Sequence, residues 1–320
     1  MKSFVGLILD KNGSAKEIKY QVIDTINQKD KILWLHFDYT KTEAKEWITK
    51  KSGMDSIAID ALLAENTRPR TVILNDSLLV ALRGINLEPK SKPEKMISLR
   101  IYISKNIIIT TSKKNILSVL ELEHELKKGV GIKSTSEFLV ELTERMIDRI
   151  DDSIDKIQDR ADTLEENLII NNNTEYRAEI LNIRRETILL KRYLAPQKEA
   201  LVRLYSEKLH WINEYQKIEL RETTDKLIRY IEELDTIRDK VILIQEELMG
   251  VLSEQMNKKM FILSIISAIF LPLTFLTGLL GINVSGIPGA SNQNAFFIFT
   301  AILVCVVAFQ FILFKKKNWI

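Results

Sequence analysis

Three hydrophobic patterns follow one another along the chain. Up to about residue 130, short apolar and β-branched runs alternate with polar turns, predicting strands at Phe4–Leu9, Ile32–Phe37, Thr71–Leu74, Leu78–Leu82, Ile97–Ile103 and Ile107–Thr110. Thr42–Lys50, Asp55–Ala64 and Asn115–Lys127 carry helical spacing; Thr42 or Asp55 is the expected cap, and Gly129 and Gly131 end the third helix. Alternation within the strands is partial, so the expected domain is a cytosolic α/β domain over residues 1–132, with helices on a mixed sheet.

From Ser134 the period changes to steps of three and four. Ser134-Thr135-Ser136-Glu137 offers a cap, after which Ile147, Ile150, Ile154, Ile157, Ala161, Leu164 and Leu168 share one face. Asn171-Asn172-Asn173 stops that helix and Thr174 can cap the next, where Ile180, Ile183, Thr187, Leu190 and Leu194 continue the pattern in an αα-hairpin. Pro196 is expected to kink or end the second helix. A third helix starts near Asn213. Leu220, Leu227, Leu234, Val241 and Leu248 recur every seven residues, with Thr224, Ile231, Arg238, Gln245 and Leu252 as the complementary set of a coiled-coil seam. Hairpin and stalk occupy 133–259. No Pro or Gly interrupts the third helix before Gly250 and no stop signal separates Leu252 from the next segment, so from Asn213 to Gly281 the two read as one helix of about 100 Å.

The third pattern is continuous. Met260–Gly281 contains no charge and is long enough for ~30 Å of hydrocarbon; Ala295–Phe314 is a second such run. The chain thus divides into a first span at 260–281, a loop at 282–294, a second span at 295–314 and a basic tail at 315–320. Lys258 and Lys259 precede the first span and Lys315, Lys316 and Lys317 follow the second, while the loop is uncharged. Lysine collects on cytoplasmic flanks, so both termini are expected in the cytoplasm of a multi-pass protein. Asn257, Met260, Ser264, Ser267, Leu271, Thr274 and Gly278 form one stripe on the first span. Small and hydroxyl residues in a membrane helix have two readings, close helix packing or a pore wall, and spacing leaves both open.

Composition changes this picture little. The 320 residues are 46% hydrophobic and 28% charged, with a net charge of +3 and basic residues interspersed among acidic ones, which argues against a nucleic-acid partner. Acidic residues outnumber basic ones along the stalk, with Glu246, Glu247 and Glu254 nearest the span. As a local statement this is a solvated helix face; several stalks around an axis would concentrate cations. The N-terminal MKSFVGLILDKNG lacks a signal peptide's apolar region and cleavage site, so the bulk is expected in the cytosol. Enzyme chemistry is absent from the pattern: His36, His124 and His210 are scattered, and there is no Gly-rich phosphate loop or nucleophile elbow. Trp34, Trp47 and Trp211 read as packing residues and Trp319 as an interfacial anchor. The single cysteine, Cys305, lies in the second span.

At Gly281-Ile282-Asn283, directly after the first span, the chain resembles the CorA family of divalent-cation transporters, whose tripeptide here is Gly-Met-Asn. The aliphatic Ile282 is similar to the zinc-transporting branch typified by ZntB. So are the segments Phe270–Ala290, Asn66–Arg70, Ala81–Pro89, Met96–Ser104, Tyr193–Leu201 and Glu254–Met260. The resemblance implies a funnel-shaped homopentamer in the cell (inner) membrane, with copies of the chain, lipid and divalent cations as its partners. It also implies that the first span lines the pore and that Gly281, Ile282 and Asn283 form the outer mouth. Asn283 would meet the hydrated metal there; the cargo would be Zn2+, with no covalently bound cofactor. The alternatives are a magnesium, cobalt or nickel channel of the same family and, in another class, a membrane-anchored coiled-coil sensor or scaffold. The polar stripe and the uncharged Gly-Ile-Asn loop separate these classes, since an anchor needs neither.

Overall fold

The computed structural model describes residues 4–25, 31–86, 96–170, 176–282, 287, 289, 292–317 and 319. The chain forms two compact units, Met1–Gln245 and Glu246–Ile320.

The first unit holds a seven-stranded sheet built from β1 (Phe4–Leu9), β2 (Ala15–Glu17), β3 (Ile32–Asp38), β4 (Arg70–Leu74), β5 (Ser77–Gly84), β6 (Ile97–Ile103) and β7 (Ile107–Ser112). Its order is β2-β1-β3-β7-β6-β5-β4. Only the β3–β7 pairing is parallel, with Leu35 opposite Ile109; the other pairings between these strands are antiparallel. This is the mixed sheet that partial alternation predicted. Two elements escaped the sequence reading: edge strand β2, whose three residues are too few to show a period, and a 3-10 turn over Tyr20–Thr25.

Alternation along β3 serves both faces of the sheet. Leu33, Leu35 and Phe37 point into a core with Trp47 and Ile48 of α1 (Thr42–Lys50) and Ala61 and Leu62 of α2 (Ser56–Leu63). Burying each such side chain contributes about 1.5–3 kcal/mol. Trp34 points the other way, its ring 4.8 Å from that of Phe138 in α4 (Thr135–Ile170). Asp55 caps α2 by accepting from Ile57 N–H at 2.8 Å. Thr42 caps nothing: it is already helical, and the preceding turn is organised by Asp38, which accepts from Thr40 N–H at 3.0 Å. Helix α3 (Leu117–Lys128) ends on Gly129 at φ +80°, a left-handed conformation that favours glycine.

Helix α4 starts at the expected box: Glu137 N–H donates to Ser134 Oγ at 3.1 Å, and the Glu137 carboxylate accepts from Lys133 N–H. Ile147 through Leu164 and, on α5 (Tyr176–Ser206), Ile180 through Leu194 are buried at the predicted positions. Asn171, Asn172, Asn173 and Thr174, and the Leu168 side chain, lie outside the described residues. Pro196 does not end α5, which continues ten residues to Ser206. Proline inside a helix costs about 3 kcal/mol in isolation. Here the following turn is held on the sheet: Arg83 N–H donates to Gln197 Oε1 at 2.6 Å, and Thr71 Oγ1 donates to Ala200 C=O at 2.7 Å.

Helix α6 runs unbroken over Glu214–Leu280, as expected. Asn213 and Gln216 exchange hydrogen bonds at its start. Its seam, however, differs from the predicted one. Leu220, Leu227, Leu234 and Val241 are buried, but their partners are Thr223, Tyr230, Ile237 and Ile244, one residue earlier than the expected set. Of that set Thr224 is buried, whereas Ile231, Arg238 and Gln245 are only half-buried. Leucine every seven residues permits a partner at plus three or plus four, and neighbouring helices select plus three. Those neighbours belong to the same chain. Lys191 of α5 meets Asp235 at 2.5 Å; on α4, Asp148 meets Lys226 at 3.0 Å and Asp162 meets Lys240 at 2.6 Å. The seam is therefore the core of an intrachain three-helix layer and carries no information about subunit number.

In the second unit, the end of α6 packs on α7 (Ala295–Lys316). Both carry runs long and apolar enough to cross a membrane, and neither run is buried within the chain.

Candidate functional site

Ile265, Ile269, Pro272, Leu273 and Leu276 are half-buried positions of the membrane part of α6, and they share one face. On the α7 side, Gln310 donates through Nε2 to Ala268 C=O at 3.1 Å. Asn257, Met260, Ser264, Ser267, Leu271, Thr274 and Gly278 are all exposed. At 3.6 residues per turn they lie roughly opposite the half-buried face. Packing against the chain's own second span is thus excluded as the purpose of the stripe.

Local chemistry along it is neutral. Ser264 Oγ donates to Met260 C=O at 2.9 Å, which satisfies the hydroxyl hydrogen and leaves oxygen lone pairs free to accept. Thr277, just off the stripe, bonds Leu273 C=O and Thr274 C=O in the same way. An added Cβ at Gly278 would meet nothing, so its smallness leaves open space. Leu271 and Met260 interrupt the polar groups with apolar side chains.

At the C-terminal end of α6, Gly281 N–H donates to Thr277 C=O at 2.9 Å. A Cβ there would sit 2.7 Å from that same backbone oxygen, so the helix can finish this way only with glycine. Ile282 is exposed, and Asn283 lies outside the described residues.

At the other end of the unit, Glu246 and Glu247 are exposed, and Glu254 pairs with Lys258 at 2.9 Å. The hydrogen bond from Lys258 holds the Glu254 carboxyl below its usual range. Within the first unit, acidic residues of α4 add to those of the stalk, a source that the stalk's own sequence does not show. Burial pushes the Glu219 carboxyl up, aided by Glu144, Glu141 and Glu137; burial together with Asp151 and Asp155 does the same at Glu233. The repeated acids of RMIDRIDDSIDK, residues 145–156, were the available signal.

The histidines divide. His36 is buried on β3 with Nδ1 2.9 Å from Thr110 Oγ1, and burial lowers its pKa to about 4. His210 is exposed, 3.6 Å from Asp76. Among the described residues no group of three or more His, Cys, Asp or Glu side chains is arranged to hold a metal. Trp34 and Trp47 are buried, Trp211 donates to Asp76 C=O at 3.0 Å, and Trp319 stacks on Phe314 beside Lys317.

Comparison with known proteins agrees with this layout. Residues 29–316 match the family described as CorA-like Mg2+ transporter protein. The divalent cation transporter CmaX of Pseudomonas aeruginosa is 35% identical over 320 residues, covering 98% of this chain and 96% of that protein. The zinc transport protein ZntB of Pectobacterium carotovorum subsp. carotovorum is 32% identical over 330 residues, with both chains fully covered. Among solved structures, full-length CmaX superposes with a TM-score of 0.85 at 34% identity, over 100% of this chain and 99% of that one. The CorA magnesium transporter of Methanocaldococcus jannaschii shares the fold, with a TM-score of 0.84 at 20% identity over 100% of this chain and 99% of that one. With the α/β domain, the long helix and the two apolar C-terminal helices all matched in order, this chain belongs to the CorA-like Mg2+ transporter family.

Proposed function

We propose that this protein moves divalent metal cations across a membrane, zinc in first place, as one subunit of a homopentamer whose pore wall is the exposed stripe of α6. The observation that carries the reading is the position of that stripe, opposite the face that α7 occupies. One hairpin cannot enclose a pore, so several copies must supply the wall; five is the number that the family resemblance suggests. The working division is a cytosolic α/β domain (1–132), hairpin and stalk (133–259), pore helix (260–281), outer loop (282–294), second span (295–314) and basic tail (315–320). Lysines flanking both spans support cytoplasmic termini and the inner membrane.

A divalent cation entering a narrow pore gives up hydration that oxygen atoms must replace, and neutral groups of this number do not replace a full shell. The ion is therefore carried at least partly hydrated. Asn283, at the outer mouth beside Gly281 and Ile282, accepts hydrogen bonds from its waters, as do Thr274, Ser267, Ser264 and Asn257 further along. Leu271 and Met260 form apolar constrictions. Glu246, Glu247 and Glu254 act at longer range by attracting cations. No covalent bond is made or broken.

The zinc assignment draws on the similarity to ZntB. The family description names magnesium, so transport of magnesium is the second reading. Flux of Zn2+ against Mg2+ into proteoliposomes holding the full chain tests both. Faster zinc uptake is expected. Faster magnesium uptake selects the second reading, and no flux of any divalent ion through folded protein overturns the function and leaves an anchored scaffold.

A further inference from the structure

The α/β domain contains a polar cavity of about 390 Å³ lined by Tyr39, Asn66, Arg83, Ser98, Arg100 and Lys113, among others. Four of the sequence segments noted above, beginning at Asn66, Ala81, Met96 and Tyr193, converge around it, and the transport reading uses none of them. Arg83 on β5 and Arg100 on β6 are its chemical centre.

Arg100 is only 1% exposed. It stacks on Tyr39 at 4.2 Å, and its Nη2 donates to the backbone oxygens of Ala64 and Glu65. Its Nε and Nη1 are buried without a hydrogen-bond partner. Arg83 donates to Met96 C=O at 3.2 Å and Thr67 C=O at 2.8 Å and lies 4.9 Å from the Tyr193 ring, while its Nε is likewise unpartnered. Among the described residues no carboxylate forms an ion pair with either guanidinium. Burial lowers the pKa of both, which marks the cost of holding two cations there. An unpaired buried charge costs several kcal/mol, and removing the deficit takes an anion with several acceptor oxygens.

We propose that this cavity is a binding site for a phosphate-type oxyanion, held by Arg100 and Arg83 with Lys113 at the rim and Ser98 as an additional donor. The planar guanidinium forks can each engage two oxygens of such a tetrahedral anion. Glu65 is the opposing charge: its side chain is exposed at the cavity edge and weakens binding. An occupant would tie β5 and β6 to α5, since Arg83 also bonds Gln197 through its N–H.

The test uses the full chain in detergent, titrated calorimetrically with inorganic phosphate at matched ionic strength against chloride. Saturable binding is expected. Arg100→Met should weaken it more than tenfold, the scale of a lost charge-assisted hydrogen bond. Lys113→Ala, an exposed change that leaves the fold alone, should weaken it roughly two- to fivefold, and Glu65→Gln should tighten it by a similar factor. If Arg100→Met does not fold, these opposite shifts carry the test. Adenosine monophosphate is the second arm: competition with phosphate assigns the site to phosphate borne on a nucleotide, and its absence to the free oxyanion. No saturable binding, or binding unchanged by both Lys113→Ala and Glu65→Gln, overturns the proposal.

Discussion

The two ends of α6 have opposite relations to the rest of the chain. Up to Gln245 the helix is complete within its own subunit: its leucine seam is buried and its charges pair with α4 and α5. Beyond that point the same helix turns its largest apolar side chains outward, Leu271 at 74% and Phe275 at 66% exposure. A water-soluble unit does not leave such a surface bare. The difference teaches that continuity of a helix says nothing about continuity of its role. One half is a structural element of a folded domain, and the other half carries an apolar surface that this chain alone leaves uncovered.

The sharpest way to break this comparison is to change transport without stability. Asn283→Ala should remove most zinc flux in proteoliposomes while leaving expression and melting unchanged. Undiminished flux would withdraw the outer mouth from ion recognition. The converse experiment is Ile237→Ala in the buried seam, which should cost about 2–5 kcal/mol, seen as a lower denaturation midpoint. Gln245→Ala, one residue out of the seam, should stay within about 0.5 kcal/mol. Equal effects would mean that the seam is the one expected from leucine spacing after all.

A further change probes the first unit by pH. His36 is held neutral by burial, with its pKa lowered to about 4 from an ordinary 6.5. The unfolded chain binds the proton first. The stability that His36 contributes is therefore complete above pH 6.5 and is lost as pH falls from 6.5 towards 4, up to about 3 kcal/mol in all. Melting of the full chain from pH 7 to 4.5 should fall more steeply than in His36→Gln, and parallel curves would exclude the assignment. The smallest effect is expected from Glu246, Glu247 and Glu254 changed together to Gln. Zinc flux should drop at low ionic strength and recover towards the parent value above ~0.1 M salt, where the screening length is ~10 Å. A salt-independent loss would point to direct contact with the ion.

Elements are legible where local signals act alone. Asp55, Ser134 and Asn213 announce helix starts because a capping side chain bonds N–H groups two or three residues away. Pro196 misleads for the complementary reason: its local penalty is outweighed by hydrogen bonds from Arg83 and Thr71, more than a hundred residues distant in sequence. The candidate pore face is half-legible. Its residues stand out by spacing, but packing and pore readings need the position of α7, which spacing does not contain. The arginine cavity is invisible in the sequence, since Arg83 and Arg100 become neighbours only through the pairing of β5 with β6.

By itself, then, the amino-acid sequence determined the class of the longer elements, the two runs long and apolar enough to cross a membrane and the uninterrupted α6, because period, caps and lengths of uncharged chain are properties of neighbouring residues. Tertiary structure alone decided which of two equally spaced seams on α6 is buried and that the polar stripe faces away from α7. It also decided that two guanidiniums with no carboxylate partner among the described residues share one cavity. These depend on which distant surface arrives against a residue, and solvent exclusion there, rather than any local preference, selects the outcome.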